Sequence, residues 1–161
     1  LQQAAGQKDA KRVKELAGEL IEKYSGTSYA GMGALIAARV QVDQGDTKNA
    51  RVQLAWVADH ANDIGLRALA RLRLATILLD EKSYDEALKQ LAVEPPPPFA
   101  ARYADVRGDI YVAQGKLAEA VKAYDEALAR IDAAAKVEEV ARHQAYRDLV
   151  QTKRDALGVA Q

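Results

Sequence analysis

Gly108-Asp-Ile-Tyr-Val-Ala-Gln-Gly-Lys-Leu-Ala-Glu-Ala-Val-Lys-Ala-Tyr-Asp-Glu-Ala-Leu128 is the stretch that decides the fold. It aligns without a gap, at a spacing of 33 residues, with Ala75-Thr-Ile-Leu-Leu-Asp-Glu-Lys-Ser-Tyr-Asp-Glu-Ala-Leu-Lys-Gln-Leu91. Gly108 matches Ala75, Tyr111 matches Leu78, Ala120 matches Ala87 and Tyr124 matches Leu91. A further copy lies upstream, where Ala38, Gln41, Gly45, Ala50, Leu54 and Val57 take the same roles. Ala50 precedes Ala87 by 37 residues, and the extra four residues fit a longer second helix through Trp56 and His60. Self-similarity at such a period is the mark of a repeat array, each unit one supersecondary element.

The residue types give each copy a helix pair. Gly108, Ala75 and Ala38 lie midway along a first helix, where a tiny side chain lets the second helix cross closely. Ala120, Ala87 and Ala50 do the same from the second helix. Gln114-Gly115-Lys116 and Gln44-Gly45-Asp46 end the first helices, because Gly takes the left-handed cap conformation. Asp46-Thr47 suits the start of the next helix. In the second copy Glu81-Lys82-Ser83 fills the same turn without Gly. Val13, Ala17 and Leu20 place a half-copy at the front, Val13 again 37 residues before Ala50.

Composition agrees. Of 161 residues, 49% are apolar, dominated by Ala and Leu, which with Glu, Lys and Arg favour helix. Alternating β-branched runs are nearly absent, so strands are not expected. The expectation is an all-α, tetratricopeptide-repeat-like right-handed superhelix of antiparallel pairs with roughly seven or eight helices. Its divisions would be a partial repeat over 1–24, repeats over 28–61, 65–94 and 99–131, and a capping helix over 136–158. For the cap, Val137, Val140, Ala141, Gln144, Leu149, Val150 and Leu157 are spaced for one amphipathic face. Pro95 to Pro98 should stop the second helix of copy two near Val93 and act as a stiff spacer.

Several function classes fall away. With 23 basic and 23 acidic residues and no single-sign block, there is no electrostatic footprint for nucleic acid or an anionic membrane surface. No cysteine is present, which excludes thiol catalysis, disulfides and Cys-based zinc sites. His60 and His143, the only histidines, are 83 residues apart and read as solvated or rim residues, not a metal pair. There is no Gly-rich phosphate loop and no nucleophile elbow. Asp125-Glu126 and Glu138-Glu139 are sequence neighbours, which point about 100° apart on a helix and so form no acid–base pair. No enzyme activity, cofactor or small-molecule substrate is expected.

Binding of protein partners is the remaining class. Projecting the repeat onto the concave face of such a stack gives Met32, Leu35, Arg39 and Val42 from copy one. Copy two gives Leu69, Leu72, Thr76 and Leu79, and copy three Arg102, Asp105, Asp109 and Val112. This expected face is apolar in its N-terminal half and charged in its C-terminal half, suited to a helix or extended segment. The competing reading turns several of these leucines toward a neighbouring helix or the tail.

The series Gly108, Tyr111, Ala120, Tyr124, Ala127 resembles the tetratricopeptide repeat, although Ala104, Arg71 and Ala34 replace the usual early Trp. Clamps of that superfamily that hold a chaperone's C-terminal carboxylate use Lys and Asn at sites that carry Leu35, Arg39 and Arg73 here, so that subtype is not expected.

A narrower resemblance rests on Tyr29-Ala30, Leu66-Arg-Ala-Leu-Ala-Arg-Leu-Arg-Leu-Ala75, Tyr103-Ala-Asp-Val-Arg-Gly-Asp-Ile-Tyr-Val-Ala-Gln-Gly-Lys116 and Leu149-Val-Gln-Thr-Lys-Arg-Asp-Ala-Leu157. It is similar to the YfgM family of Gram-negative bacteria. The resemblance implies an ancillary subunit of the Sec translocon with one membrane span and a repeat domain in the periplasm. It also implies association with a membrane-anchored periplasmic chaperone of the prolyl-isomerase type. The chain opens at Leu1 inside a helical pattern, as a piece of a longer protein would, and the resemblance implies an inner-membrane anchor upstream. A soluble cytosolic scaffold and a regulatory domain of a larger enzyme are the alternatives.

Overall fold

The computed structural model describes residues 2–135 and 141–158, with side chains over 9–134 and 143–158. Among the described residues there are eight α-helices and no strand. The chain divides into two compact units between Ile77 and Leu78, inside the fourth helix.

The first unit holds α1 (Gln2–Tyr24), α2 (Ser28–Asp43), α3 (Thr47–His60) and most of α4 (Ile64–Asp80). Caps set its boundaries. The Thr27 hydroxyl accepts from the Ala30 N–H, and Asp46 accepts from the Asn49 N–H, each satisfying an orphan donor of the helix start. Asp63 does the same for Leu66 at 2.8 Å. Ala17 of α1 is buried, and a side chain at Gly33 of α2 would press on Leu20, so α1 lies against α2. Ala34, Ala38 and Ala50 are buried with Leu54 and Val57, the small residues at the crossing and the large ones filling around it. Arg71 stands where the motif usually has Trp. It donates to the Ala58 carbonyl at the end of α3 at 3.1 Å and pairs with Asp59 at 3.8 Å, a favourable place for a cation.

The second unit holds α5 (Tyr84–Gln90), α6 (Pro97–Ala113), α7 (Leu117–Ala135) and α8 (Ala141–Asp155). The proline run acts at both ends. α5 stops at Gln90, three residues before the expected Val93, whereas Pro97 and Pro98 are the first helical residues of α6. Proline fits there because its missing N–H has no intrahelical partner in the first turn anyway. α6 and α7 run antiparallel, as shown by Arg107 donating to Glu126 at 2.6 Å and Tyr124 donating to Asp109 at 2.7 Å. At their crossing, a Cβ on buried Gly108 would overlap the Tyr124 ring, 2.8 Å from Cζ and closer still to Cε1 and Cδ1. α7 continues past Ile131 to Ala135. Residues 136–140, the expected first turn of the cap with Val137 and Val140, lie outside the described residues. From Ala141 onward the cap is a helix, antiparallel to α7, with Val150 fully buried and ion pairs Arg147–Asp132 (2.7 Å) and Arg154–Asp125 (3.2 Å).

One turn recurs at three positions that the repeat alignment matches. Gly45, Lys82 and Gly115 have φ of 76°, 61° and 74°. After each, an amide reaches back five residues: Asp46 to Gln41, Ser83 to Leu78, and Lys116 to Tyr111, at 2.8, 2.8 and 2.9 Å. This is the six-to-one hydrogen bond of a left-handed helix cap. Lys82 adopts the conformation that Gly takes in the other two copies.

Candidate functional site

In the first unit, α2 carries an exposed line of Tyr29, Met32, Ile36, Arg39 and Val42, spaced three or four residues apart and therefore on one helix face. Met32 is 50% and Ile36 57% exposed, a large apolar surface for neighbouring turns. The expected residues Met32, Arg39 and Val42 belong to it. Leu35 does not: at 5% exposure it is a core residue, and Ile36 takes its place on the surface. Tyr29 and Ile36 were not among the expected residues. A single helix has apolar residues on both faces here, so apolar character alone does not reveal which side meets solvent.

Copy two follows the same phase. Leu72 is buried at 7%, which corrects its expected place on an open face, while Thr76 is exposed and bonds its own helix at Leu72. Leu69 and Leu79 are half-buried.

Copy three departs most from the expected charged half. Arg102 and Val112 are exposed, but Asp105 is buried at 5%, at the position that Leu35 and Leu72 occupy in the other copies. Lys153 of α8 places its ammonium 2.8 Å from Asp105 and 2.9 Å from Asp109. The Tyr146 hydroxyl donates to Asp105 at 2.9 Å, and the Tyr124 hydroxyl to Asp109 at 2.7 Å. Arg102 lies over the Tyr146 ring at 5.3 Å and Lys153 over the Tyr124 ring at 5.9 Å. Each carboxylate thus accepts one phenol and shares one ammonium.

The electrostatics follow from this geometry. Burial works against the Lys153 charge, but the hydrogen bonds and charges of Asp105 and Asp109 outweigh it and hold the ammonium above its ordinary range. Burial pushes the Tyr124 phenol up, helped by Asp109; burial and the Asp105 charge do the same to Tyr146. Every member is committed to another, so the cluster works as a clasp for α8. Sequence reasoning missed it because its partners are up to 48 residues apart and charged residues are solvated by default.

Among the described residues no group of three His, Cys, Asp or Glu is arranged to hold a metal ion. His60 stacks on Trp56 with ring centroids 5.7 Å apart, and its Nδ1 lies 3.0 Å from the Trp56 carbonyl oxygen. No described helix is long and apolar enough to cross a membrane.

Helix pairs crossing at Gly and Ala, with an apolar stripe left open on one helix, define a repeat protein of the interaction class. The sequence pattern of the family described as "Tetratricopeptide repeat-like domain" matches residues 1–159, and the chain belongs to that family. It is also similar to three proteins named "Ancillary SecYEG translocon subunit". The one from Neisseria gonorrhoeae is 33% identical over 139 residues, covering 86% of this chain and 62% of the relative. The one from Aggregatibacter actinomycetemcomitans is 30% identical over 121 residues, covering 75% and 59%. The Escherichia coli protein is 32% identical over 88 residues, covering 55% and 43%. The chain therefore spans less than two thirds of the length of these curated relatives. Their name agrees with the resemblance to the YfgM family read from the sequence.

Proposed function

We propose that this chain is the protein-binding part of a membrane-anchored ancillary subunit of the Sec translocon. In this reading the repeat domain faces the periplasm and associates with a membrane-anchored chaperone of the prolyl-isomerase type. It acts by docking and not by catalysis. The observation that carries the reading is the open stripe of α2. Tyr29, Met32, Ile36 and Val42 present apolar surface at helical spacing, with the cationic Arg39 among them. Such a surface on a repeat scaffold suits an amphipathic helix or an extended apolar segment. The similarity to ancillary translocon subunits supplies the partner class.

The test is site-specific photo-crosslinking in the full-length protein within its native membranes. A crosslinker at Ile36 should capture a translocon or chaperone subunit, whereas one at the exposed Lys89 of α5 should not. Equal yields from both positions would remove the stripe from the proposal. Recovery of the intact protein in the cytosolic fraction would remove the translocon reading itself.

A further inference from the structure

The second unit contains a cleft whose lining shares no residue with the α2 stripe. It opens where the start of α6, the end of α7 and the start of α8 meet, with a volume of about 630 Å³. That lies within the usual range of small-ligand sites, about 300–1,000 Å³. Its walls are small: Pro97, Pro98, Ala100 and Ala101 on α6, and Ala133 and Ala134 beside the buried Ile131 on α7. Alanines leave the space that larger side chains would fill.

The charged residues of its described lining are two arginines. Arg102, Arg130 and His143 line the cleft with Tyr146, and no acidic side chain lines it among the described residues. Arg102 is fixed in place by stacking on the Tyr146 ring. Arg130 pairs with Glu94 at 3.5 Å and Glu126 at 3.7 Å, neither of which lines the cleft. Two pre-positioned guanidinium groups at the rim of an apolar hollow call for a ligand with an apolar body and one anionic end. An extended peptide would carry an amide N–H at each residue into a site whose polar side chains are mainly donors, leaving those groups unpaired. An acyl chain has no such groups. We infer that this cleft binds the carboxylate end of a single-chain fatty acid, with the chain along the alanine walls and the carboxylate at Arg102 and Arg130.

The test is calorimetric titration of the intact chain with decanoate, and with 1-decanol and decyltrimethylammonium as neutral and cationic counterparts, all below micellar concentration. Decanoate should bind at one site, with decanol at least about tenfold weaker, the worth of a charge-assisted hydrogen bond. Arg102→Gln with Arg130→Gln should weaken decanoate by about the same factor and leave decanol unchanged. Ala134→Trp, at an exposed position on the rim of the cleft, should abolish binding of both by occupying the space. Helicity measured by circular dichroism identifies variants that keep the fold. Decanol or the cationic amphiphile binding as tightly as decanoate would overturn the inference, as would a folded double variant with full affinity. A tripeptide, acetyl-trileucine with a free carboxylate, binding more tightly than decanoate would also overturn it in favour of a peptide end.

Discussion

Lys153 of α8 sits 2.8 Å from Asp105 of α6, an ion pair whose acid replaces the leucine carried by the two earlier copies at the same repeat position. Leu35 and Leu72 bury hydrocarbon there; Asp105 buries a charge that only a cationic neighbour satisfies. The substitution makes the last repeat complementary to α8 and not to another apolar repeat, which gives the array a defined end.

Breaking this pair from one side should therefore be worse than replacing both sides. Lys153→Met leaves Asp105 buried with the Tyr146 hydroxyl alone and should cost about 1–3 kcal/mol, less than a fully buried pair because Lys153 is partly solvated. Adding Asp105→Leu should recover most of that loss, since a buried ion pair and a packed apolar pair are often close in free energy. Urea unfolding of the two single variants and the double variant measures the coupling. Strictly additive losses would mean that the two side chains act independently.

Alkaline pH should loosen the same clasp. Tyr124 and Tyr146 hold their protons more tightly when folded than at their ordinary value of 10.0, and Lys153 more tightly than at 10.5. Below these ordinary values the groups are protonated in both states and the stabilisation is complete. Above them the unfolded chain gives up protons that the folded chain retains, so stability falls as pH rises. The slope should approach about 1.4 kcal/mol per pH unit for each group above pH 10. Tyr146→Phe should flatten the decline measured by urea unfolding between pH 8 and 11. A slope unchanged by this substitution would assign the decline to other groups.

Gly108 and Tyr124 give a sharper packing test. Alanine is normally the better helix former, by about 1 kcal/mol. Here its Cβ would overlap an aromatic ring whose hydroxyl is tied to Asp109, so Gly108→Ala should instead destabilise by about 1–3 kcal/mol. The second copy carries Ala75 and Leu91 at these two positions. Tyr124→Leu on the Gly108→Ala background should therefore restore part of the loss, read as the thermal midpoint. A Gly108→Ala variant more stable than the parent would refute the close crossing.

Lys82 tests the turn in the same comparative way. At φ 61° a lysine Cβ meets steric strain of about 1–2 kcal/mol that Gly45 and Gly115 avoid. Lys82→Gly relieves it but gains freedom in the unfolded chain, so the net stabilisation should be at most about 1 kcal/mol. Gly115→Ala, with no atom within 4 Å of its new Cβ, isolates the backbone strain and should destabilise by about 1 kcal/mol. Equal stability of all three proteins would show that the left-handed turns are not strained.

The helix pairs were legible because the repeat constrains them at many positions at once. Gly108, the alanines that cross it and the glycine turns each need one residue type for one geometric reason. The surface was less legible. Leu35 and Ile36 are adjacent, equally apolar and about 100° apart on the helix, so the sequence does not show which one meets solvent. Asp105 was misplaced for a different reason: its burial depends on Lys153 and Tyr146, remote residues with no periodic relation to it. The start of α6 was misplaced by two residues because prolines that end one helix can open the next.

That adjacency supplies the last prediction. Leu35→Asp would bury a charge in a core position and should unfold or strongly destabilise the domain, by about 3 kcal/mol or more. Ile36→Asp with Met32→Asp changes only exposed positions and should leave the melting temperature nearly unchanged. If the α2 stripe docks the partner, that folded double variant should lose affinity about tenfold or more, on the order of 1.4 kcal/mol. Co-purification of full-length protein with the proposed partners reads the affinity, and circular dichroism reads the fold. A folded Ile36→Asp/Met32→Asp protein that retains its partners at full yield would exclude this face. A stable Leu35→Asp protein would mean that α2 is rotated from the orientation its burial pattern gives.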